Sequence, residues 1–233
     1  MNVPIFVLTK IRAMDKREFK DKVYTILAKL VKAMANPHRL EIIDLLGQGE
    51  RSVEEIANET NMSVANASQH LQMLKQSNLV QVRRDGNFIR YRLAGDNVYK
   101  SWKDLRTIGM ESLAEIDKLI KDFRTQKNSL EPVSLQQLLP RMKAKKIILL
   151  DVRPEQEFKA GHIPNAINIP IDQLATRIGE LSKSRQYIAY CRGPFCVFAD
   201  DAVQILTRKG FKASRLEEGY PDWKIDYAAE SIV

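Results

Sequence analysis

The first half of the chain repeats apolar residues at helical spacing, and short polar breaks divide this repeat. The breaks lie at Asn36-Pro37, Gly47-Gln48-Gly49 and Asn61-Met62. They separate four predicted helices, and the second begins at Pro37 because proline favours the first helical turn. Ser52 followed by Glu55 forms a capping box for the third helix, and Ser63 caps the fourth. This half is therefore predicted to be mostly helical.

After residue 78 the apolar period changes from about 3.6 to two, the period of a strand. Val80 and Val82 precede Asp85-Gly86, and Tyr91 and Leu93 follow it. The pattern predicts a β-hairpin with a tight turn, then one long helix over residues 98–123. Three short helices and a hairpin wing are the elements of a winged helix-turn-helix, whose recognition helix enters the major groove of DNA.

The second half alternates apolar strands with helices. Helices are predicted over residues 134–142, 155–159, 173–181 and 198–209, and strands over 147–152, 187–190 and 211–216. Apolar strands separated by helices indicate a mostly parallel sheet covered on both faces. The sequence thus predicts a mainly-α winged helix-turn-helix (α+β) over residues 1–125, a polar linker over 126–132, and an α/β domain over 133–233.

The composition is that of an ordinary globular protein, with 44% hydrophobic and 28% charged residues among 233. The longest apolar runs are far shorter than the roughly 20 residues that span a bilayer, so no membrane partner is expected. The N-terminus lacks a basic start and a small-residue cleavage site, which favours a cytoplasmic location. The two cysteines lie in one short segment without zinc spacing, so neither a metal nor a cofactor is expected.

The fourth helix carries candidate base-reading side chains. If Val64, Ala67, Leu71 and Leu74 turn inward, its outward face is small and amide-rich, and Asn or Gln side chains pair well with adenine. The alternative is a solvated polar face. The candidate DNA contacts on this helix are Ser63, Asn66, Ser68, Gln69, His70 and Lys75, with Gln72 and Met73 on the same face.

The predicted wing is strongly basic, with Arg83, Arg84, Arg90 and Arg92 around its turn. The net charge of +8 also lies mainly in the first half of the chain, which favours double-stranded DNA as a partner. Four arginines on one hairpin suit phosphate or minor-groove contacts. The alternative is an edge strand kept soluble by its charge.

Three segments in this half resemble the ArsR family of winged-helix repressors over about residues 18–125. They are the run from Ala33 to Ile42, the segment Ser68-Gln69-His70-Leu71, and Tyr91-Arg92-Leu93. The resemblance implies a homodimer built on the first and last helices, here residues 18–34 and 98–123. Many members bind metal through a cysteine pair at the start of the third helix. This chain has Ser52-Val53-Glu54 there, which excludes a thiolate metal site.

The segment from Cys191 to Cys196 follows a predicted strand and precedes a helix, where parallel sheets present functional groups. Backbone N–H groups of such a turn, together with the helix N-terminus, stabilise an anion or a thiolate. Beside Arg192, Cys191 is therefore expected to have a lowered pKa and to act as a nucleophile. The alternative is a buried, inert cysteine. The candidate loop residues are Cys191, Arg192, Gly193, Pro194, Phe195 and Cys196.

The second half resembles the rhodaneses, which are persulfide-forming sulfurtransferases, over about residues 133–228. The matching motifs, in order, are Leu150-Asp151-Val152-Arg153-Pro154, the segment from Gly161 to Pro170, Tyr190-Cys191-Arg192 and Gly219-Tyr220-Pro221-Asp222-Trp223. The resemblance implies that Cys191 carries the sulfane sulfur, cradled by the loop amides. It also implies that Asp151 and Arg153 form a structural ion pair beneath the site and that His162 is a packing residue.

Two departures from that family bear on the chemistry. The segment from Cys191 to Gly210-Phe211 is about two residues longer than in common single-domain members, and Gly193-Pro194-Phe195-Cys196 replaces a more polar stretch. This less polar loop argues against efficient turnover of the thiosulfate dianion. Cys196 either resolves a persulfide or sulfenic acid on Cys191, or only fills space.

These features favour a homodimeric DNA-binding repressor whose rhodanese-like domain forms a persulfide on Cys191 and senses or processes reactive sulfur species. Its expected partners are a DNA operator, a second copy of the chain, and a sulfur donor such as a persulfide, polysulfide or thiosulfate. The alternative is a sulfurtransferase enzyme in which the winged helix serves dimerisation or localisation. A weaker third reading is a non-catalytic anion binder or a reductase-like domain.

Overall fold

The computed structural model describes residues 14–86, 88–126, 132–143 and 147–227. Its first part is a winged helix-turn-helix. Its elements are α1 (Lys16–Met34), α2 (Pro37–Leu46), β1 (Arg51–Ser52), α3 (Val53–Glu59), α4 (Val64–Gln76), β2 (Val80–Asp85), β3 (Phe88–Leu93), α5 (Asp96–Ser112) and α6 (Ala114–Gln126). The strands form an antiparallel sheet in the order β1-β3-β2.

The helix starts of this part follow from their capping residues. Asn36 accepts the backbone N–H of Arg39, and Pro37 stands in the first turn of α2. The predicted capping box at α3 is formed in both directions by Ser52 and Glu55. These caps set where the helices begin, so the sequence-based boundaries there are close to the observed ones.

Two predictions in this part are wrong in detail. The helix expected over residues 98–123 is divided into α5 and α6, because Leu113 is extended. Gly109 weakens the end of α5, while Glu115 and Asp117 lie in the first turn of α6, where acidic side chains favour a helix start. Val64, expected inside, is 46% exposed because it lies in the first turn of α4, before that helix meets the core.

The second part is an α/β domain. Its elements are α7 (Leu135–Lys143), β4 (Ile147–Asp151), α8 (Glu155–Ala160), β5 (Ile167–Asn168), α9 (Ile171–Arg177), β6 (Gln186–Tyr190), α10 (Phe198–Arg208), β7 (Lys212–Arg215) and α11 (Tyr220–Tyr227). The strands form a parallel sheet in the order β5-β4-β6-β7. The predicted fold class is therefore confirmed.

Some elements were missed or misplaced by sequence reasoning. The two-residue strands β1 and β5 are too short to show a period, and α11 carries no marked apolar stripe. The helix expected over residues 173–181 begins earlier, at Ile171, and ends at Arg177, followed by a 3-10 turn that contains Gly179. The apolar N-terminal run and linker residues 127–131 lie outside the described residues, and the exact domain limits stay a prediction.

Each part has its own buried core. The winged-helix core contains Ile42, Ile43, Ile56, Leu71 and Leu74. In the α/β part, the buried side chains fall into two clusters that both include residues of the central strands β4 and β6, and helices supply the rest. Ile225 of α11 packs against the winged-helix core, so the two parts are in direct contact.

Across the described ranges, no helix is both long and apolar enough to cross a membrane. Nor do three or more His, Cys, Asp or Glu side chains of these ranges gather in a way that could hold a metal ion.

Candidate functional sites

The cysteine loop connects β6 to α10. Cys191 lies directly after β6, is 2% exposed, and accepts hydrogen bonds from the backbone N–H groups of Gly193 and Ala199. The loop bends at Gly193, whose φ of +145° favours glycine. Gly219 approaches it so closely that a Cβ there would overlap the Arg192 backbone. This packing holds the first cysteine in a cradle of backbone amides.

The two cysteines are free and hydrogen-bonded to each other, and their environments differ. Burial raises the pKa of the Cys191 thiol well above its ordinary value. The hydrogen bond from Cys191, backbone N–H groups and the charge of Arg192 lower the pKa of Cys196. The expectation of a lowered pKa at Cys191 is therefore wrong, because burial outweighs the effect of the loop amides.

The sequence suggested that Arg192 acts on Cys191, but its side chain is engaged elsewhere. Its guanidinium pairs with Glu157 at 2.7 Å and with Glu59 of α3 at 2.8 Å. Burial disfavours its charge, but the two carboxylates outweigh burial and raise the pKa of Arg192. Glu157, fully buried, also pairs with Arg51 at 2.5 Å. The loop arginine therefore belongs to an ion-pair cluster between the two domains.

Gln48 forms a second bridge between the domains. Its Nε2 donates to the carbonyl of Arg192 at 3.1 Å, and its Oε1 accepts from Arg153 at 3.1 Å. Arg153 in turn pairs with Asp151 at 2.6 Å, and neither side chain is exposed. The Asp151–Arg153 ion pair beneath the loop therefore stabilises the local fold and also contacts the winged-helix domain through Gln48. His162 stacks on Phe158 with ring centroids 3.8 Å apart.

Two further contacts lie beside the loop. Arg124 of α6 donates to the carbonyl of Pro194 at 2.8 Å. Arg106 of α5 pairs with buried Asp222 at 2.5 Å, and Asp222 also accepts the backbone N–H of Gly219. The last helix of the winged domain therefore touches the cysteine loop.

A cavity of about 490 Å³ opens between the domains beside the loop. The winged-helix domain lines it with parts of α2, the end of α3 and Trp102, and the other domain with Arg192 and the segment from Phe195 to Phe198. Cys196 lines this cavity, whereas Cys191 does not. The second cysteine is therefore the one that a molecule in the cavity would meet.

The proposed recognition helix α4 presents a mixed face. Ala67, Leu71 and Leu74 are fully buried, and Gln69, Gln72, Met73 and Lys75 are exposed. Ser63 caps the helix by accepting the N–H of Asn66 at 3.2 Å, and Asn66 and Ser68 are half-buried. His70 contacts His38, with ring centroids 5.4 Å apart, and burial lowers its pKa. That these side chains contact DNA remains a prediction.

The wing arginines contact carboxylates of their own domain. Arg83 pairs with Glu50 at 2.8 Å, Arg90 with Glu55 at 3.2 Å, and Arg92 lies 4.0 Å from Glu50. Arg84 is exposed. Since these pairs lie at or near the surface, they hold the arginines weakly, and DNA phosphates can compete for them.

Helices α1, α5 and α6 together expose a large apolar surface. Tyr24, Ile26 and Val31 of α1 and Leu119 of α6 are each at least 65% exposed. Exposed apolar patches of this extent mark interaction sites.

Sequence reasoning assigned no role to several residues that surround the loop, some in the winged-helix domain and some in the loop's own domain. Gln48, Glu59, Arg106, Glu157 and Asp222 join positions more than 30 residues apart, so no local pattern reveals them. The one available signal is Gln48 itself, a polar residue held between two glycines at a helix end.

Comparisons with known proteins agree with both halves. The family description "Rhodanese-like domain" matches residues 134–226, and "Bacterial regulatory protein, arsR family" matches residues 36–82. HTH-type transcriptional regulator Rv0324 of Mycobacterium tuberculosis is 43% identical over 199 residues, which are 85% of this chain and 87% of that protein. The nodulation protein NolR of Rhizobium meliloti is 43% identical over 75 residues, or 32% of this chain and 62% of NolR.

A solved structure is also similar in sequence. It is the solution structure of the homodimeric winged helix-turn-helix DNA-binding domain of Mb0332 from Mycobacterium bovis, described as a possible ArsR-family transcriptional regulator. It is 40% identical, covers 44% of this chain and 94% of that domain, and has a TM-score of 0.40.

The fold and the loop define a winged-helix DNA-binding protein fused to a rhodanese-like domain. The chain belongs to the ArsR family of HTH-type transcriptional regulators, in the form that carries a rhodanese-like domain.

Proposed function

We propose that the protein is a homodimeric DNA-binding repressor in which the rhodanese-like domain takes up sulfane sulfur on Cys191 and thereby senses or processes reactive sulfur species. In this proposal α4 reads the operator and the wing contacts its backbone. The apolar surface of α1, α5 and α6 packs against a second copy. The loop amides cradle the terminal sulfur on Cys191.

The observation that carries the proposal is the direct bonding of the cysteine loop to the DNA-binding domain. Gln48 and Arg124 hold the loop carbonyls of Arg192 and Pro194, and Glu59 holds the guanidinium of Arg192. A change of loop shape that moves either carbonyl or this guanidinium alters one of these bonds. Sulfur chemistry at the cysteines thus has a physical route to the winged helix.

Operator affinity before and after sulfur loading tests the proposal. A duplex selected by the protein from a random library is titrated with wild type and Cys191→Ser, each untreated and polysulfide-treated, and mass spectrometry locates the adduct. We expect the affinity of wild type to change by 5- to 150-fold on treatment and that of Cys191→Ser to stay constant. An unchanged wild-type affinity at complete persulfidation refutes sensing.

The second candidate function is a sulfurtransferase whose winged helix serves dimerisation or localisation. The pairing of wing arginines with Glu50 and Glu55 favours it, because these pairs compete with phosphate contacts. It predicts rapid release of sulfane sulfur to an added thiol and DNA affinity near the non-specific range. The proposed repressor instead predicts a sequence-specific complex.

A further inference from the structure

The cavity between the domains has walls suited to a small organic molecule. Its apolar part comes from Leu40, Leu45, Trp102, Phe195 and Phe198. Its volume of about 490 Å³ lies in the range of small-molecule sites. Both domains contribute walls, so an occupant would touch the DNA-binding domain and the cysteine loop at once.

The charges around this cavity are predominantly negative. Three carboxylates line it, those of Glu41, Asp44 and Glu59, against the guanidinium of Arg192. That guanidinium is shared between Glu59 and the buried Glu157. Asp44 accepts a hydrogen bond from Trp102 at 2.8 Å and lies 3.7 Å from Arg106, and burial raises its pKa, so the exposed carboxylate of Glu41 is the least compensated negative charge of the cavity. The cavity therefore disfavours dianions such as thiosulfate.

We propose, resting on the sulfur-uptake function above, that this cavity binds low-molecular-weight hydropersulfides with a neutral or cationic organic group, and that Cys196 is the first acceptor, which passes the sulfur to Cys191. Cys196 lines the cavity and is half-buried, whereas Cys191 lies behind it. The two thiols are hydrogen-bonded, so transfer between them needs no large movement.

The proposed steps balance without a further reagent. The Cys196 thiolate attacks the terminal sulfur of R–S–SH, the S–S bond breaks, and R–S⁻ leaves, so that Cys196–S–SH forms. The Cys191 thiol gives its proton to R–S⁻, which departs as R–SH, and the Cys191 thiolate attacks the terminal sulfur as the S–S bond to Cys196 breaks. The products are Cys191–S–SH and the Cys196 thiolate. The lowered pKa of Cys196 suits the first step.

A matched donor series tests the selectivity. The hydropersulfides carry 2-aminoethyl, 2-hydroxyethyl or 2-sulfonatoethyl groups, and thiosulfate is the fourth donor. Each rate with the full-length protein is divided by the rate with N-acetylcysteine, which removes differences in donor reactivity. We expect the cationic and neutral donors to exceed the sulfonate and thiosulfate by about tenfold or more. A normalised rate that is highest for either anionic donor overturns the charge selection.

Charge reversal at the cavity edge provides the matched variants. Glu41→Lys should lower the normalised rate of the 2-aminoethyl donor by about tenfold and raise that of the sulfonate donor. Asp172→Lys, at an exposed site on α9, makes the same change of net charge away from the cavity and should alter neither. Equal effects of both variants would assign the selectivity to overall charge and overturn the cavity proposal.

Cysteine variants test the order of transfer. In Cys191→Ser, the adduct should form and stay on Cys196, and in Cys196→Ser, labelling of Cys191 should be at least tenfold slower than in wild type. Labelling of Cys191 at an undiminished rate in Cys196→Ser overturns the relay. Operator affinity measured on the same samples separates sulfur sensing from the cysteine relay. Sulfur can pass from Cys196 to Cys191 without a change of operator affinity, and operator affinity can change without the relay.

Discussion

The buried carboxylate of Glu157 should be a main support of the domain interface, and Glu157→Gln tests this. Its side chain is fully buried and pairs with Arg51 at 2.5 Å and Arg192 at 2.7 Å. Gln keeps the shape and part of the hydrogen bonding but removes the charge. Two buried guanidinium groups then lose a shared counter-charge.

Removal of one partner from a buried ion pair costs about 3–5 kcal/mol, because an uncompensated charge stays behind. Arg192 keeps Glu59 as a partner, whereas Arg51 pairs with no other carboxylate among the described residues. We therefore expect the lower end of the range, about 3 kcal/mol. With a urea m-value of about 2 kcal/mol/M, the unfolding midpoint should fall by about 1.5 M.

Tryptophan fluorescence during urea unfolding measures this change, since each domain contains one buried tryptophan, Trp102 or Trp223. Glu155→Gln is the matched control, because Glu155 lies on the same helix but is exposed and pairs with Lys159 at the surface. It should leave the midpoint unchanged. If Glu157→Gln shifts the midpoint no more than the control does, the reasoning about a buried interdomain ion pair is refuted.

Four further outcomes are expected. Arg84→Ala should reduce the slope of log affinity against log salt by about 0.9, the value for one phosphate contact, and an unchanged slope would remove Arg84 from the DNA interface. Gln69→Ala should cost about 1–3 kcal/mol at one operator step and little on non-specific DNA, whereas equal loss on all sequences would exclude base reading. Leu119→Glu should shift sedimentation from dimer towards monomer, because Leu119 is 69% exposed on the proposed dimer face. The rate of Cys196 alkylation should rise with pH through a pKa below the ordinary 9.0. Cys191→Ala should raise that pKa, because the hydrogen bond from Cys191 stabilises the Cys196 thiolate. An unchanged pH profile in Cys191→Ala would contradict this cause.

Much of the fold is predictable because its determinants are local. Ser52, Glu55 and Ser63 cap helices within three residues of themselves, and the wing alternates with period two. The strands β4 and β6 are short apolar runs without helical periodicity. The strands, and the position of the loop after β6, could therefore be predicted. The break between α5 and α6 was missed, because the apolar stripe continues through it past the local signals at Gly109, Glu115 and Asp117.

The electrostatics of the loop were not predictable because they depend on contacts between the domains. The charge of Arg192 is next to Cys191 in sequence, but Glu59 and Glu157 hold it elsewhere. Cys191 is adjacent to helix and loop amides, yet burial by the surrounding core determines the direction of its pKa shift. Both reversals arise from residues far away in the chain, which a single sequence does not bring together.

If the protein senses sulfur as proposed, a small change at the loop is sufficient for regulation. Glu59, which holds Arg192, is the last residue of α3, and after one turn Ser63 caps the recognition helix α4. A 5- to 150-fold response requires about 1–3 kcal/mol of coupling. One hydrogen bond to a charged group contributes about 1.5–3 kcal/mol. In the proposed sensor, a change of shape between Cys191 and Cys196 that breaks a single loop contact in one DNA-binding state would therefore supply the whole coupling energy.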